Sequence, residues 1–363
     1  MADRIKVLLD GTPLLGQRTG IGRYTAALAE ELASMPDEVD VRAVAYTFRG
    51  WRGLRSVLPH GVRARGMPVP ARLLRKSWLS SSFPPVEIYA GLADVVHGTN
   101  FVLPPALFAG GVMTVHDLDF LDAVGELPPS DRELPELVRK CARRAAVVCT
   151  PTQAVAAVVT ERLGVPADRI VVTPLGVDPA WFAARPPSDS LAARLKLPSE
   201  YLLFVGADGP RKGLPTLLEA HAATPSLPPL LLVGPGHHAD GDRVRTAGYL
   251  SDVDLRSVVA GAAALVLPSR DEGFGLPVLE ALACNVPVVC SDVPALREVA
   301  GDLAHLVPVG DSEALAAALL SALEDPPTAD VFAARRAHAS SFTWRNCAER
   351  TLDAYRQAAA AAP

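Results

Sequence analysis

Acidic residues are missing from one long stretch of this sequence. Between Val41 and Val86 there is no Asp or Glu, while nine basic residues stand there: Arg42, Arg49, Arg52, Arg55, Arg63, Arg65, Arg72, Arg75 and Lys76. The whole chain of 363 residues carries a formal charge of −5, which leaves −14 on the remainder. A chain acidic overall has no general attraction for nucleic acid, so none is expected as a partner. Cysteine is also scarce. The five present are odd in number and none sits in a C-x-x-C pair, which argues against a disulfide framework or a zinc site and suits the reducing cytoplasm. No apolar run approaches the roughly 20 residues of a bilayer span, so membrane contact is expected to be peripheral, on the cytosolic face. The opening MADRIKVLLDG lacks the charged leader and apolar core of a signal peptide, and secretion is not expected.

What is plentiful points to a packed globular protein with many punctuated loops: 49% apolar residues, 33 prolines and 27 glycines. The length suits two domains, each with its own core. Continuous apolar runs recur in two series, Ile5–Asp10, Val41–Thr47, Asp94–His97, Val112–His116, Ala146–Thr150 and Arg169–Pro174, then Tyr201–Gly206, Leu230–Gly234, Ala263–Pro268, Val286–Ser291 and Leu303–Val307. Continuity rather than alternation predicts strands buried on both faces of a parallel sheet. Helical stretches lie between them, among them Tyr24–Ala33, Leu134–Ala145, Leu214–Ala222, Leu255–Ala260, Pro277–Ala283 and Ser312–Leu323. The expected class is therefore α/β, two doubly wound Rossmann-like domains, 1–176 and 177–343, with the site in the cleft between them. A terminal helix, 344–358, is expected to pack back on the first domain, and the Ala-rich end after it to fray.

The segment PSRDEGFGLPVLEALA (Pro268–Ala283) carries the most specific chemistry. It follows an apolar run and opens a helix whose Pro277 suits the first turn, so the backbone N–H groups of Gly273–Leu276 are free to hold an anion. Glu272 and Glu280 stand eight residues apart, one before the helix and one on its first turn, and carboxylates there can accept bonds from ligand hydroxyls. A helix-start loop with two solvated glutamates accounts for the same spacing equally well. Gly20-Ile-Gly22 is a poor dinucleotide fingerprint, because it lies ten residues past the strand and Thr25 takes the place of the third glycine. Three D-x-D triplets (Asp117/Asp119, Asp240/Asp242 and Asp252/Asp254) in an acidic chain read as chance, and His237-His238 lacks a third metal ligand.

Glu272 to Glu280 with GFGLP between them resembles the E-x7-E signature of the retaining glycosyltransferases of family four. Further segments are similar in the same order: GQRTGIGRYT (Gly16–Thr25), TVHDLDF (Thr114–Phe120), VTPLGVD (Val172–Asp178), FVGADGPRKGLPTLLEA (Phe204–Ala220), GYLSDVDL (Gly248–Leu255) and PVVCSDVPALREVAGD (Pro287–Asp302). The resemblance implies the GT-B architecture and a metal-independent, cofactor-free transfer of a hexose from a nucleotide sugar to an acceptor hydroxyl, with GDP-mannose as the first donor expected. It also implies roles. Arg211 and Lys212 hold the donor diphosphate, where fixed cations stabilise the growing charge. Glu272 touches the sugar hydroxyls, Glu280 the ribose and His116 the donor sugar near the reaction centre. Gly20, Gly22, Gly206, Leu250, Gly273, Phe274, Gly275 and Leu276 complete the donor site, with Gly20 and Gly22 in a loop preceding a helix. Departures from the family pattern, Gly209 in place of a glutamate and the charged Arg270-Asp271, leave donor preference open. A nucleotide-sugar epimerase, a phosphorylase or a silent nucleotide-sugar-binding protein is the competing expectation. The first domain is the acceptor half in this family, so segment 41–86, with Phe48, Trp51, Trp78 and Phe83 among its cations, is expected to meet a lipid-linked, phosphorylated or glycan acceptor or an anionic membrane, unless it is only a solvated loop.

Overall fold

The apolar runs form two sheets in which every pairing is parallel. A computed structural model describes residues 4–16, 19–48, 50–121, 132–238, 241–324 and 328–362. Gln17 and Arg18 of the early loop, Arg49 of the basic stretch and Asp240 of the second D-x-D lie outside them. The first sheet comprises β1 (Ile5–Asp10), β2 (Val39–Val44), β3 (Arg63–Ala64), β4 (Val95–Gly98), β5 (Gly110–Thr114), β6 (Val147–Thr150) and β7 (Ile170–Val172), in the order β3-β2-β1-β4-β5-β6-β7. The second comprises β8 (Leu202–Val205), β9 (Leu230–Val233), β10 (Val244–Gly248), β11 (Ala264–Leu267), β12 (Val288–Ser291) and β13 (His305–Val307), in the order β10-β9-β8-β11-β12-β13. Strand order reverses between β1 and β4 in one sheet and between β8 and β11 in the other. An α/β sheet binds its ligands beyond the carboxyl ends of the strands at such a reversal.

Two strands escaped the sequence pattern, β3 and β10. Both are edges, where a strand needs no continuous apolar run: β3 spans two residues, and β10 reads VRTAG and is half-buried throughout. Central strands are fully buried, as in Val288–Ser291, and each Val or Leu so enclosed contributes roughly 1.5–3 kcal/mol.

Helix Gly20–Ala33 begins four residues earlier than the periodicity suggests. Its buried side chains Tyr24, Leu28 and Leu32 repeat one turn apart, and this packing overrides the intrinsic helix cost of about 1 kcal/mol for each glycine. Gly20 and Gly22 are thereby corrected from a preceding loop to the first turn itself. The terminal helix also runs longer than expected, Trp344–Ala360. Its Ala-rich end does not fray at Ala358, which is fully buried because Gly110 has no side chain: a Cβ there would stand 2.1 Å from the Ala358 carbonyl oxygen.

The chain divides into two compact units, Met1–Gly176 with Trp344–Pro363, and Val177–Thr343. Among the described residues no helix is long and apolar enough to cross a membrane, and all five cysteines are free.

Candidate active site

In the second unit, the carboxyl ends of β8 and β11 gather three charged side chains. Lys212 Nζ donates to Glu272 Oε1 at 2.6 Å and Arg211 lies 3.8 Å from Oε2. Ser269 Oγ donates to the same Oε1 at 2.8 Å. Glu272 is buried, whereas Arg211 and Lys212 keep about a fifth to a quarter of their side chains exposed (24% and 21%). A carboxylate removed from water is tolerable when cations and a hydroxyl satisfy it, and here all three do so. Two cations face one carboxylate, so the cluster keeps a formal charge of +1 and is open on its cationic side.

Backbone geometry holds the two loops together. Gly213 has φ +64°, and a Cβ there would meet the Pro268 carbonyl oxygen at 1.9 Å, so only glycine lets the Pro210–Lys212 turn lie against the segment that carries Glu272. Arg270 N–H donates to the Arg211 carbonyl at 2.7 Å across the same junction. Gly275, φ +94°, caps helix Leu276–Ala283 without any side-chain bond to its first turn. That end of the helix, following directly on Glu272, is a site for negative charge. Glu280 is buried at the fifth residue of this helix, one residue further along than expected, because the helix starts at Leu276 and not at Pro277. Gly206 follows β8, and its carbonyl accepts from His237 Nε2 at 2.7 Å. Leu250, Phe274 and Leu276 are buried, with the Phe274 ring edge-on to Phe342 at 6.0 Å. Of the D-x-D pairs, Asp254 is tied to Arg194 at 2.7 Å.

His116 belongs to the first unit, two residues beyond β5, as do Gly20 and Gly22. Its Nε2 is 2.9 Å from the Thr99 carbonyl, a group that only accepts, so Nε2 carries the proton and Nδ1 the lone pair. Burial holds its pKa below the usual histidine value, and the ring is neutral at pH 7. Tyr24 packs on it edge-to-face at 4.9 Å and Phe101 at 5.9 Å. Behind it runs a chain that sequence reasoning missed. Tyr24 and Thr114 share a hydroxyl bond of 2.9 Å, Thr114 Oγ1 meets His97 Nε2 at 2.8 Å, and His97 Nδ1 meets the Tyr355 hydroxyl at 2.8 Å. Ser269 was also missed, although it lies inside the motif that carries Glu272; a hydroxyl three residues before a buried carboxylate was the available signal. Helix Gly20–Ala33 has no side-chain bond from its N-cap Thr19, so its first N–H groups are available to an anion.

Residues 190–338 match the family described as glycosyl transferases group 1, and residues 19–176 match the glycosyl transferase 4-like domain. The O-antigen chain mannosyltransferase B of Escherichia coli is 30% identical over an alignment of 394 residues, 97% of this chain and 100% of that protein. A phosphatidyl-myo-inositol mannosyltransferase of Mycolicibacterium smegmatis is 36% identical over 173 residues, 43% of each chain. Among solved structures, a sucrose-phosphate synthase from Thermosynechococcus elongatus shares the fold, with a TM-score of 0.73 over 99% of this chain and 100% of that one at 22% identity.

Proposed function

This chain belongs to glycosyltransferase family four, as a mannosyltransferase-like member with the GT-B fold, and from that premise we propose that it moves a hexose from a nucleotide sugar to an acceptor hydroxyl with retention at the anomeric carbon. Mannose from GDP-mannose is the first donor to try, because relatives such as the Escherichia coli protein are mannosyltransferases. The observation that carries the reading is the Arg211–Glu272–Lys212 cluster at the strand reversal of the second sheet. A nucleoside diphosphate offers oxygens that compete with Glu272 for both cations, and the charge that grows on them as the C1–O bond breaks is stabilised there without a metal ion or a cofactor. Released from its cations, Glu272 accepts bonds from the sugar hydroxyls. Neutral His116 offers Nδ1 as a further acceptor toward the sugar, and the uncapped first turn at Gly20 and Gly22 a donor set toward phosphate. The acceptor oxygen attacks the face the diphosphate leaves, and its proton passes to a departing phosphate oxygen. The first unit is the acceptor half, the second the donor half, and the five free thiols suit a cytoplasmic enzyme.

The test is a thermal-shift panel of nucleoside diphosphates and their sugars, followed by product analysis with labelled donor. A ligand that binds the folded state raises its apparent stability by RT ln(1 + [L]/Kd). Stabilisation by one nucleotide series and a labelled α-glycoside are the expected results. Free epimer or sugar phosphate would reassign the chemistry to an epimerase or phosphorylase, and binding with no turnover would reduce the protein to a nucleotide-sugar binder.

A further inference from the structure

Asp10 ends β1, beside the point where the order of the first sheet reverses, and its side chain is buried. Among the described residues its carboxyl accepts hydrogen bonds from Thr12 alone, from the N–H at 2.9 Å and from the hydroxyl. A carboxylate has about four lone-pair sites, so Thr12 leaves about half of them unused. Arg75 of helix Ala71–Ser80 acts on the group through its charge. Burial raises the Asp10 pKa to about 6, and at pH 7.5 the carboxyl is ionised all the same. A buried carboxylate with this few partners weakens the fold, and such groups concentrate at functional sites.

Its surroundings belong to the same end of the sheet. Thr99, the first residue past β4, joins Asp10 to His116: its Oγ1 donates to the Asp10 carbonyl at 2.7 Å and its own carbonyl accepts from His116 Nε2 at 2.9 Å. Tyr46, two residues past β2, donates its N–H to Thr12 Oγ1 at 2.9 Å. Its ring stands edge-on to Tyr89 of helix Glu87–Ala90 at 6.1 Å. Both tyrosines are buried. Their hydroxyls approach one another without hydrogen-bonding geometry, and among the described residues neither has another partner. The Asp10 charge acts on both hydroxyls, yet no hydrogen bond joins them to it.

A group that both donates and accepts, placed between carboxylate and tyrosines, would satisfy all three. A phosphate has no proton for Asp10 and is repelled by it, and an ammonium cannot accept from the tyrosines. A hydroxyl does both. We infer that Asp10, Tyr46 and Tyr89 form a subsite for the hydroxyls of an uncharged sugar, Asp10 accepting and the tyrosines donating. The inference rests on the transferase reading above and makes this sugar part of the acceptor, because the three residues lie in the first unit.

Saturation-transfer NMR titration of the full chain without nucleotide tests it, with methyl α-mannopyranoside, methyl α-glucopyranoside and methyl α-galactopyranoside as probes. At least one glycoside is expected to bind. Asp10→Asn should weaken it by at least about 10-fold, the cost of a bond to a charged acceptor, and Tyr46→Phe/Tyr89→Phe by at least about 3-fold. The thermal midpoint of Asp10→Asn at pH 7.5 should not fall, so that affinity is lost while stability is kept, a combination that a purely structural Asp10 cannot give. Glu272→Gln should leave the glycoside affinity unchanged. Stabilisation by nucleoside diphosphate retained in Asp10→Asn shows that the donor reading stands independently; its absence from the wild type, with glycoside binding intact, strikes the donor reading alone. No binding of any glycoside to the wild type overturns the inference, as does unchanged affinity in Asp10→Asn. Loss of binding in Glu272→Gln overturns it by placing the sugar in the donor half. Where Asp10→Asn loses stability together with affinity, the tyrosine double variant decides, and unchanged affinity there overturns the inference.

Discussion

At the carboxyl ends of β8 and β11, Arg211 and Lys212 surround Glu272 in a cluster of full charges, whereas at the corresponding ends of β4 and β5 the side chains of His97, Thr114, Tyr24 and Tyr355 form a neutral, buried hydrogen-bonded chain. The charged cluster is built from exchangeable partners, because a ligand phosphate can replace the carboxylate on either cation. The neutral chain has no spare group to exchange and serves to fix Tyr24, the ring on which His116 rests. The second unit stores binding chemistry; the first stores position. The two should therefore respond to different perturbations.

The largest separation is expected from acid. Burial drives the His97 pKa down to about 3 from an ordinary 6.5, so the folded state refuses a proton that the unfolded state accepts between those values. Stability contributed by the neutral ring is complete above about pH 6.5 and is lost as pH falls toward 3, at about 1.4 kcal/mol per pH unit, up to about 5 kcal/mol. Hydrogen exchange between pH 7 and 4 should show the amides of β4 and β5 losing protection over this window, and His97→Gln should flatten that loss by about one proton. An unchanged slope in the variant would break the comparison, since the chain would then not be what acid opens.

Charge removal in the second unit comes next. Lys212→Ala should lower kcat by about 10²–10³-fold, the usual cost of one preorganised group facing transition-state charge, without moving the thermal midpoint by more than a few degrees. Glu272→Gln separates binding from transfer. In the free protein this carboxylate competes with the diphosphate for Arg211 and Lys212, so the amide should bind free nucleoside diphosphate more tightly while transfer slows by a similar 10²-fold. Titration calorimetry beside initial rates checks both, and weaker nucleotide binding in Glu272→Gln would show that the carboxylate organises the cations instead of competing for them.

The second unit's half of this contrast was legible in the sequence and the first unit's was not, for a physical reason. The Pro210–Lys212 turn and the Gly273–Leu276 helix start are local devices, coded by glycine and proline within a few residues of the charges they position, and a continuous apolar run marks the strand before each. The chain from Tyr24 to Tyr355 is assembled across the fold, with His97 and Tyr355 separated by 258 positions, and single tyrosines and a histidine have no local signature that separates a network from a core. Edge strands β3 and β10 were hidden because pairing on one side only relaxes the apolar pattern. The basic stretch was visible as charge; that Arg75 in its helix Ala71–Ser80 acts on the Asp10 carboxyl was not, since the two are more than sixty residues apart in the chain.

The smallest effect tests whether the first unit's ligand end is neutral as far as Asp10. This carboxyl, 7% exposed at the end of β1, accepts the Thr12 N–H at 2.9 Å, and burial pushes its pKa up to about 6 despite Thr12 and the charge of Arg75. Between 3.8 and 6 the folded state holds a proton that the unfolded state has lost, so the stability this group contributes is complete below about pH 4 and gone once pH has risen through 6. Above that the ionised carboxylate costs up to about 3 kcal/mol. Asp10→Asn keeps the oxygen that caps Thr12 and removes the titration. It should stabilise the protein by about 1–3 kcal/mol in urea unfolding at pH 7.5 and by almost nothing at pH 4. A variant destabilised at pH 7.5 would mean that the ionised Asp10 is held by Arg75 as Glu272 is held by Lys212, and the two units would then differ in degree and not in kind.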